Sequence, residues 1–339
     1  MLVFFIHCVA TRDVKYADSL KDSIRKELVA RGQPLPHFYS SFWGDILSNL
    51  GKAWNWVDQD LQLLKHQQPT LNLDDAFRYQ SARRGFLSEV IGDAFTYLSS
   101  ERGAKIRELL AEQLEDFIAF HPEETELHFV SHSLGTVILW DVLFSEKLDS
   151  DRQACKIRSI IYGFVDLSSE RRVHLRSITT MGAPILLFNL MIEANPERIK
   201  NLSERSSQPL KWTNIIHASD IIAYPICSSF KSIASWNLAA KDEFIKTDGS
   251  HLENILRNFL DSSMFKALSG SLEDTLEGAL PLVPMFVGAR DAHQSYFNCQ
   301  RTTSAASQLN FRVNRSQFAS GILDLHLPIN TPLGLVDIS

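Results

Sequence analysis

"ELHFVSHSLGTVILWDVLF", residues 126–144, changes its pattern in the middle. A short apolar run up to Val130 reads as a strand, and from Leu134 the residues Val137, Ile138, Asp141 and Val142 recur at helical spacing. The pentapeptide between them, "SHSLG" at 131–135, is small, polar and ends in glycine, as a sharp strand-to-helix turn requires. A turn of this kind can hold its middle residue, Ser133, out toward solvent as a candidate nucleophile.

The chain on either side repeats the strand and helix alternation. "LVFFIH" (2–7) reads as a buried first strand, and residues 13–32 place Val14, Ala17, Leu20, Ile24 and Leu28 on one helical face before stopping at Gly32. "PHFYSSFW" (36–43) supplies the next strand, the prolines at 34 and 36 explaining why the helix has ended. Residues 44–80 are less regular and read as a cap insertion. A long amphipathic helix then spans 104–120, with Ile106, Leu109, Leu110, Leu114, Phe117 and Ile118 on its apolar face. "RSITTMGAP" (176–184) reads as a strand leaving through a glycine and proline turn, and "TNIIHA" (213–218) as another, with Asp220 just beyond its end. Strands are therefore expected near 2–7, 37–42, 126–131, 176–181 and 212–218, in an α/β fold with a mostly parallel central sheet covered by helices. Such sheets bind ligands beyond the carboxyl ends of their strands, where Ser133 and Asp220 both fall.

Composition limits what this site can serve. With 339 residues, 45% of them hydrophobic, the chain can bury a large core. Its 34 basic and 40 acidic residues leave a formal charge of -6, and "SARRG" (81–85) and "ERRVHLR" (170–176) are too short for a phosphate-backbone groove, so nucleic acid is not an expected partner. Cys8, Cys155, Cys227 and Cys299 are far apart and lack zinc-knuckle spacing, which reads as free thiols in a reducing compartment. The N-terminal apolar run lacks a positive leader, and no stretch reaches the length of a membrane span, so a cytoplasmic protein is expected, with transient membrane-surface contact left open. There is neither GxGxxG after the first strand nor GxxxxGK[ST], so the nucleotide-binding loops are missing.

A serine hydroxyl becomes a useful nucleophile when a histidine takes its proton and a carboxylate holds that histidine in the right tautomer. The chain order expected on such a sheet is serine, acid, histidine. His251, in "TDGSHLENILRNFL" (247–260), stands in a polar glycine-containing loop before a helix and is the expected base. His293, in "ARDAHQSYF" (289–297), is its rival, and His326 sits in an alternating apolar tail. Asp242 and Asp248 are near His251 in sequence but read as exposed carboxylates. The N–H of Leu134, at the start of the helix, is the expected first donor to a developing oxyanion.

The set "LVFFIHC", "SHSLG", "TTMGAP", "ASDIIAYP" and "GSH" resembles the α/β-hydrolase superfamily over roughly residues 1–260, and within it the serine esterase and lipase branches, including phospholipase-like and GPI inositol-deacylase-like domains. The resemblance implies that Ser133 is the nucleophile and Asp220 the acid, with Asp166 in "YGFVDLSS" as the alternative acid. It implies a second oxyanion N–H from the loop after the first strand, here Cys8 or Val9, with His7 shaping that loop. Two departures stand out: Ser131 occupies the usual first glycine of the pentapeptide, and Cys8 stands where the family commonly has glycine after His7.

The reaction this implies is hydrolysis of a carboxylic ester through an acyl-enzyme, with no metal or redox cofactor required. Residues 185–201, "ILLFNLMIEANPERIKN", can form an apolar cover, and "ALPLVPMFVG" (279–288) another apolar wall, which favours a hydrophobic ester or lipid. Thioesterase or peptidase chemistry would use the same triad, and a binding or scaffold protein could use the same fold without catalysis. The domain reading is a catalytic domain over 1–260, with cap elements at 44–80 and 185–210, and a C-terminal extension over 261–339.

Overall fold

The computed structural model describes residues 1–8, 11, 13–46, 51–73, 96–161, 173–192, 194–204, 209–227, 237–246, 293, 295–298 and 302–303, the side chains of 45, 51–53 and 196 aside. In chain order these form β1 (Leu2–Ile6), α1 (Asp18–Ala30), β2 (His37–Ser40), α2 (Gly51–Gln67), α3 (Ser100–Phe120), β3 (Glu126–His132), α4 (Leu134–Phe144), α5 (Arg152–Ile161), β4 (His174–Met181), α6 (Ile185–Ile192), α7 (Pro196–Glu204), β5 (Leu210–His217) and β6 (Leu238–Ile245).

The six strands make one sheet in the order β2-β1-β3-β4-β5-β6, and every pairing is parallel. A parallel sheet covered on both faces leaves no water for its central strands, which explains why β1 is apolar and buried along its whole length. α1 turns Leu20, Ile24 and Leu28 into the core at intervals of four. It ends in a Schellman motif: Gly32, at φ +64°, donates to the Val29 carbonyl, and the Gln33 N–H donates to that of Leu28. α4 is buried on all sides, packed against α5 and α6, so its first turn is held firmly against the sheet.

This strand order, with the serine turn at the end of a central strand, is the α/β-hydrolase fold. The five strands expected from sequence are present within two residues at each end, and α3 begins at Ser100, earlier than residue 104. The cap expected at 185–210 resolves into α6 and α7, with β5 already starting at Leu210. One compact unit runs from Met1 to Leu309 and includes His293 and Tyr296. Among the described residues, no helix is long and apolar enough to cross a membrane, and Cys155 is a free thiol.

Two histidines on β3 are buried uncharged. His128 shares a 2.8 Å hydrogen bond with the Ser177 hydroxyl through Nδ1 while its Nε2 has no partner. Burial, followed by the positive charges of the N-terminus, Arg176 and Lys211, pushes it down to about 3. Burial, with His293 next in weight, does the same to His132, also to about 3. An unfolded chain takes up both protons as pH falls through about 6.5, whereas the folded chain resists until about 3, so stability is expected to fall as pH drops across that window. The slope is at most about 1.4 kcal/mol per pH unit for each histidine. Urea unfolding at pH 7.5 and pH 5.0 checks this, and a His128→Asn protein should show a shallower dependence.

Candidate active site

The turn between β3 and α4 fixes Ser133 through its backbone. Its N–H donates to the Met181 carbonyl at 2.9 Å, and its carbonyl accepts from the N–H and the hydroxyl of Thr136 at 2.9 and 2.6 Å. Tied at both ends, Ser133 adopts φ 51°, and among the described residues it is the one side-chain-bearing residue with positive φ. Ser131 does not need glycine's freedom: it sits in regular strand pairing with Ile6 and Thr180, with its hydroxyl buried toward the Thr179 carbonyl. Gly135 does need to lack a side chain, because a Cβ there would lie 2.5 Å from the His7 carbonyl oxygen and 2.6 Å from that of Ile6. The start of α4 therefore rests directly on the end of β1.

A continuous chain of hydrogen bonds leads away from the serine. Ser133 Oγ lies 2.7 Å from His293 Nε2, and His293 Nδ1 lies 2.9 Å from Asp220 Oδ2. Asp220 follows β5 in a turn closed by its own N–H on the His217 carbonyl, and its Oδ1 accepts from the Ile222 N–H at 3.1 Å. Burial by itself would raise the Asp220 carboxyl. The bond and charge of His293, the Ile222 N–H and the Tyr296 hydroxyl outweigh it and hold the group below the ordinary carboxylate range. An ionised carboxylate only accepts, so His293 carries its proton on Nδ1 and leaves Nε2 to accept from the Ser133 hydroxyl.

The imidazole in contact with Ser133 thus belongs to His293, which takes the position expected for His251; His251 itself lies outside the described residues. The same holds for the alternative acid Asp166 and for Val9, while the carboxylate facing the imidazole is that of Asp220. Asp242, read from sequence as an exposed carboxylate, is on β6. It accepts from the Asn214 side chain and from the N–H groups of Ile226 and Cys227, tying down the loop that continues from Asp220.

Leu134 opens α4, so helix geometry gives its N–H no intrahelical acceptor. Cys8 follows β1, whose Ile6 pairs with Ser131 beside the turn. His7 is buried, stacks on Trp43, accepts the Trp43 N–H at Nε2 and consequently donates from Nδ1 to the Cys8 carbonyl at 2.7 Å. The loop bearing Cys8 is shaped by this ring, and the Cys8 thiol faces the Thr11 hydroxyl at 3.4 Å. "ALPLVPMFVG" lies outside the described residues.

Sequence reasoning missed Tyr296 and the tight fit at Gly182. Tyr296 comes one helical turn after His293, and its hydroxyl reaches the same Asp220 oxygen. Gly182, at φ +57°, closes the floor: a Cβ there would lie 2.9 Å from Tyr296 Cε2, 3.0 Å from Asp220 Oδ2 and 3.2 Å from His293 Cε1. A Gly182→Ala protein is expected to lose one to two orders of magnitude in turnover, because the added methyl pushes the imidazole off the hydroxyl (about 10²-fold for a misplacement near 1 Å). Steady-state kinetics beside a melting curve checks it, since a loss of turnover that outruns the loss of folded protein is the expected result.

Among the described residues, the ligand atoms of His37, His121 and Glu123 come within 4.8 Å of one another. His37 opens β2, so this group lies at the amino ends of the strands, opposite the serine.

No known family model and no curated protein matches the sequence. Among solved structures, the chain is similar to an uncharacterized protein from Bacillus cereus ATCC 10987, at 10% identity with a TM-score of 0.34 over 77% of this chain and 59% of that one. It is also similar to esterase PE8, at 13% identity and TM-score 0.34 over 86% and 92% of the two chains. A third is the dienelactone hydrolase from Anabaena variabilis ATCC 29413, at 10% identity and TM-score 0.27 over 82% and 85%.

Proposed function

We propose that the protein is a serine hydrolase that cleaves a carboxylic ester with a hydrophobic acyl group. The observation that carries this reading is the hydrogen-bonded run from Ser133 through His293 to Asp220, assembled from three separate parts of the chain. Ser133 Oγ attacks the ester carbonyl as His293 Nε2 takes its proton. Asp220 holds the ring and stabilises the imidazolium, and the N–H groups of Leu134 and of Cys8 or Val9 serve the oxyanion. Collapse of the tetrahedral intermediate breaks the bond to the alcohol, which leaves with the proton from Nε2. Water then attacks the acyl-serine with the same histidine as base, releasing the acid and restoring the Ser133 hydroxyl.

The apolar character of the substrate rests on α6. That helix begins three residues after Gly182 and exposes Leu186, Leu187, Leu190 and Met191, with Leu190 83% exposed, while Asn189 anchors it to Trp140. Large exposed apolar side chains on the helix that follows Gly182 suit an acyl chain better than a sugar or a charged group.

The test is a fluorophosphonate labelling reaction run beside a panel of short and medium acyl esters, thioesters, peptides and phospholipids, with a chelator present. Labelling with ester turnover supports the reading, and a preference for the phospholipid arm would narrow it. Folded protein that neither labels nor turns over any acyl substrate would favour a binding protein on the same fold.

A further inference from the structure

We infer that Tyr296 is a positioning residue for the reaction, a fixed donor that shares the Asp220 oxygen used by His293 and so sets how tightly Asp220 holds the protonated base. This rests on the serine hydrolase reading of the site and adds a fourth side chain to its hydrogen-bonded run.

Tyr296 is completely buried, with its ring set against His132 and near-perpendicular to that of His293. Its hydroxyl is engaged twice. It accepts the His217 N–H at 2.8 Å and lies 2.9 Å from Asp220 Oδ2. The backbone donor settles the direction of the second bond: a hydroxyl already accepting from an N–H has its own proton left to give, and the ionised carboxylate is the acceptor it faces. Burial first, and the Asp220 charge next, raise the Tyr296 hydroxyl well above the usual phenol range, so it remains a donor at every working pH.

His293 and Tyr296 sit three residues apart, the spacing that puts two side chains on one face of a helical turn. Both end on Asp220 Oδ2, while Oδ1 is held separately by the Ile222 N–H. Two donors on one oxygen compete for its charge. The tyrosine draws charge away from the bond to His293, which weakens the hold on the imidazolium and lets the ring return its proton to the leaving group. His217 ends β5 and Asp220 follows it in the next turn, so the hydroxyl also braces the carboxylate against the strand that presents it.

The experiment compares wild type, Tyr296→Phe and a protein carrying 3-fluorotyrosine at position 296, a stronger donor of nearly the same shape. Each is titrated for active sites with a fluorophosphonate and followed as kcat/KM against pH. Tyr296→Phe should keep its active-site titre and a KM within about twofold of wild type, lose about tenfold in kcat, and move the acid limb of the profile to higher pH. The fluorinated protein should move that limb to lower pH. A residue that only fills space would lower the titre and leave the limb where it was, and an unmoved limb in both proteins overturns the proposal. Should Tyr296→Phe not fold, the direction of the limb in the fluorinated protein decides alone. Should wild type fail to label at all, the hydrolase reading falls. The proposal is then decided by NMR titration of the His293 ring, which must move in opposite directions in the two variants to sustain it.

Discussion

Ser133→Ala is expected to abolish fluorophosphonate labelling and to slow ester turnover by about 10⁴ to 10⁶-fold, the scale on which losing the nucleophile of a serine triad is felt. Only one oxygen is removed, and it belongs to the bond with His293 at 2.7 Å rather than to core packing. The backbone bonds that hold the turn, to Met181 and from Thr136, are untouched, and alanine keeps the Cβ that is already tolerated at φ 51°. The melting temperature should therefore stay within a few degrees of wild type. A full loss of labelling at unchanged stability is the expected signature, and retained labelling would remove Ser133 from the reaction.

His293→Ala should cost turnover on a comparable scale, about 10⁴-fold or more, because neither Ser133 nor the leaving group then has a proton partner. His251→Ala is the paired control and should keep most of the activity, since the position between Ser133 and Asp220 is already filled. Added imidazole offers a further check, as it can enter the space vacated in His293→Ala and restore part of the rate. Activity lost in His251→Ala and kept in His293→Ala would return the base to the residue chosen from sequence.

The contrast between these two histidines shows where sequence was informative. Ser133 and Asp220 announce themselves locally, one by a strand, turn and helix within a few residues, the other by following an apolar β-branched strand. β1 is legible because a strand buried on both faces is apolar along its length, and β3, β4 and β5 carry shorter apolar or β-branched runs between polar residues. β6 escaped notice because it is an edge strand among the described residues: Lys241, Asp242 and Glu243 break its apolar pattern, and its partly covered residues alternate with exposed ones. His293 lacks any such local mark. It reaches Asp220 across 73 residues and Ser133 across 160, a placement decided by tertiary contacts. The usable signal was the histidine and tyrosine three apart in "HQSYF", two polar rings that one helical turn can aim at a single acceptor.

The positive φ of Ser133 also bears on how this chain can change over generations. Glycine would adopt that angle freely, whereas a side-chain-bearing residue there costs about 1 to 3 kcal/mol. Ser133→Gly would relax the turn and delete the hydroxyl together, so a lineage drifting toward sturdier folding would be drawn to it. Serine at this angle is a choice that folding alone would discard, and its presence points to selection on the hydroxyl itself.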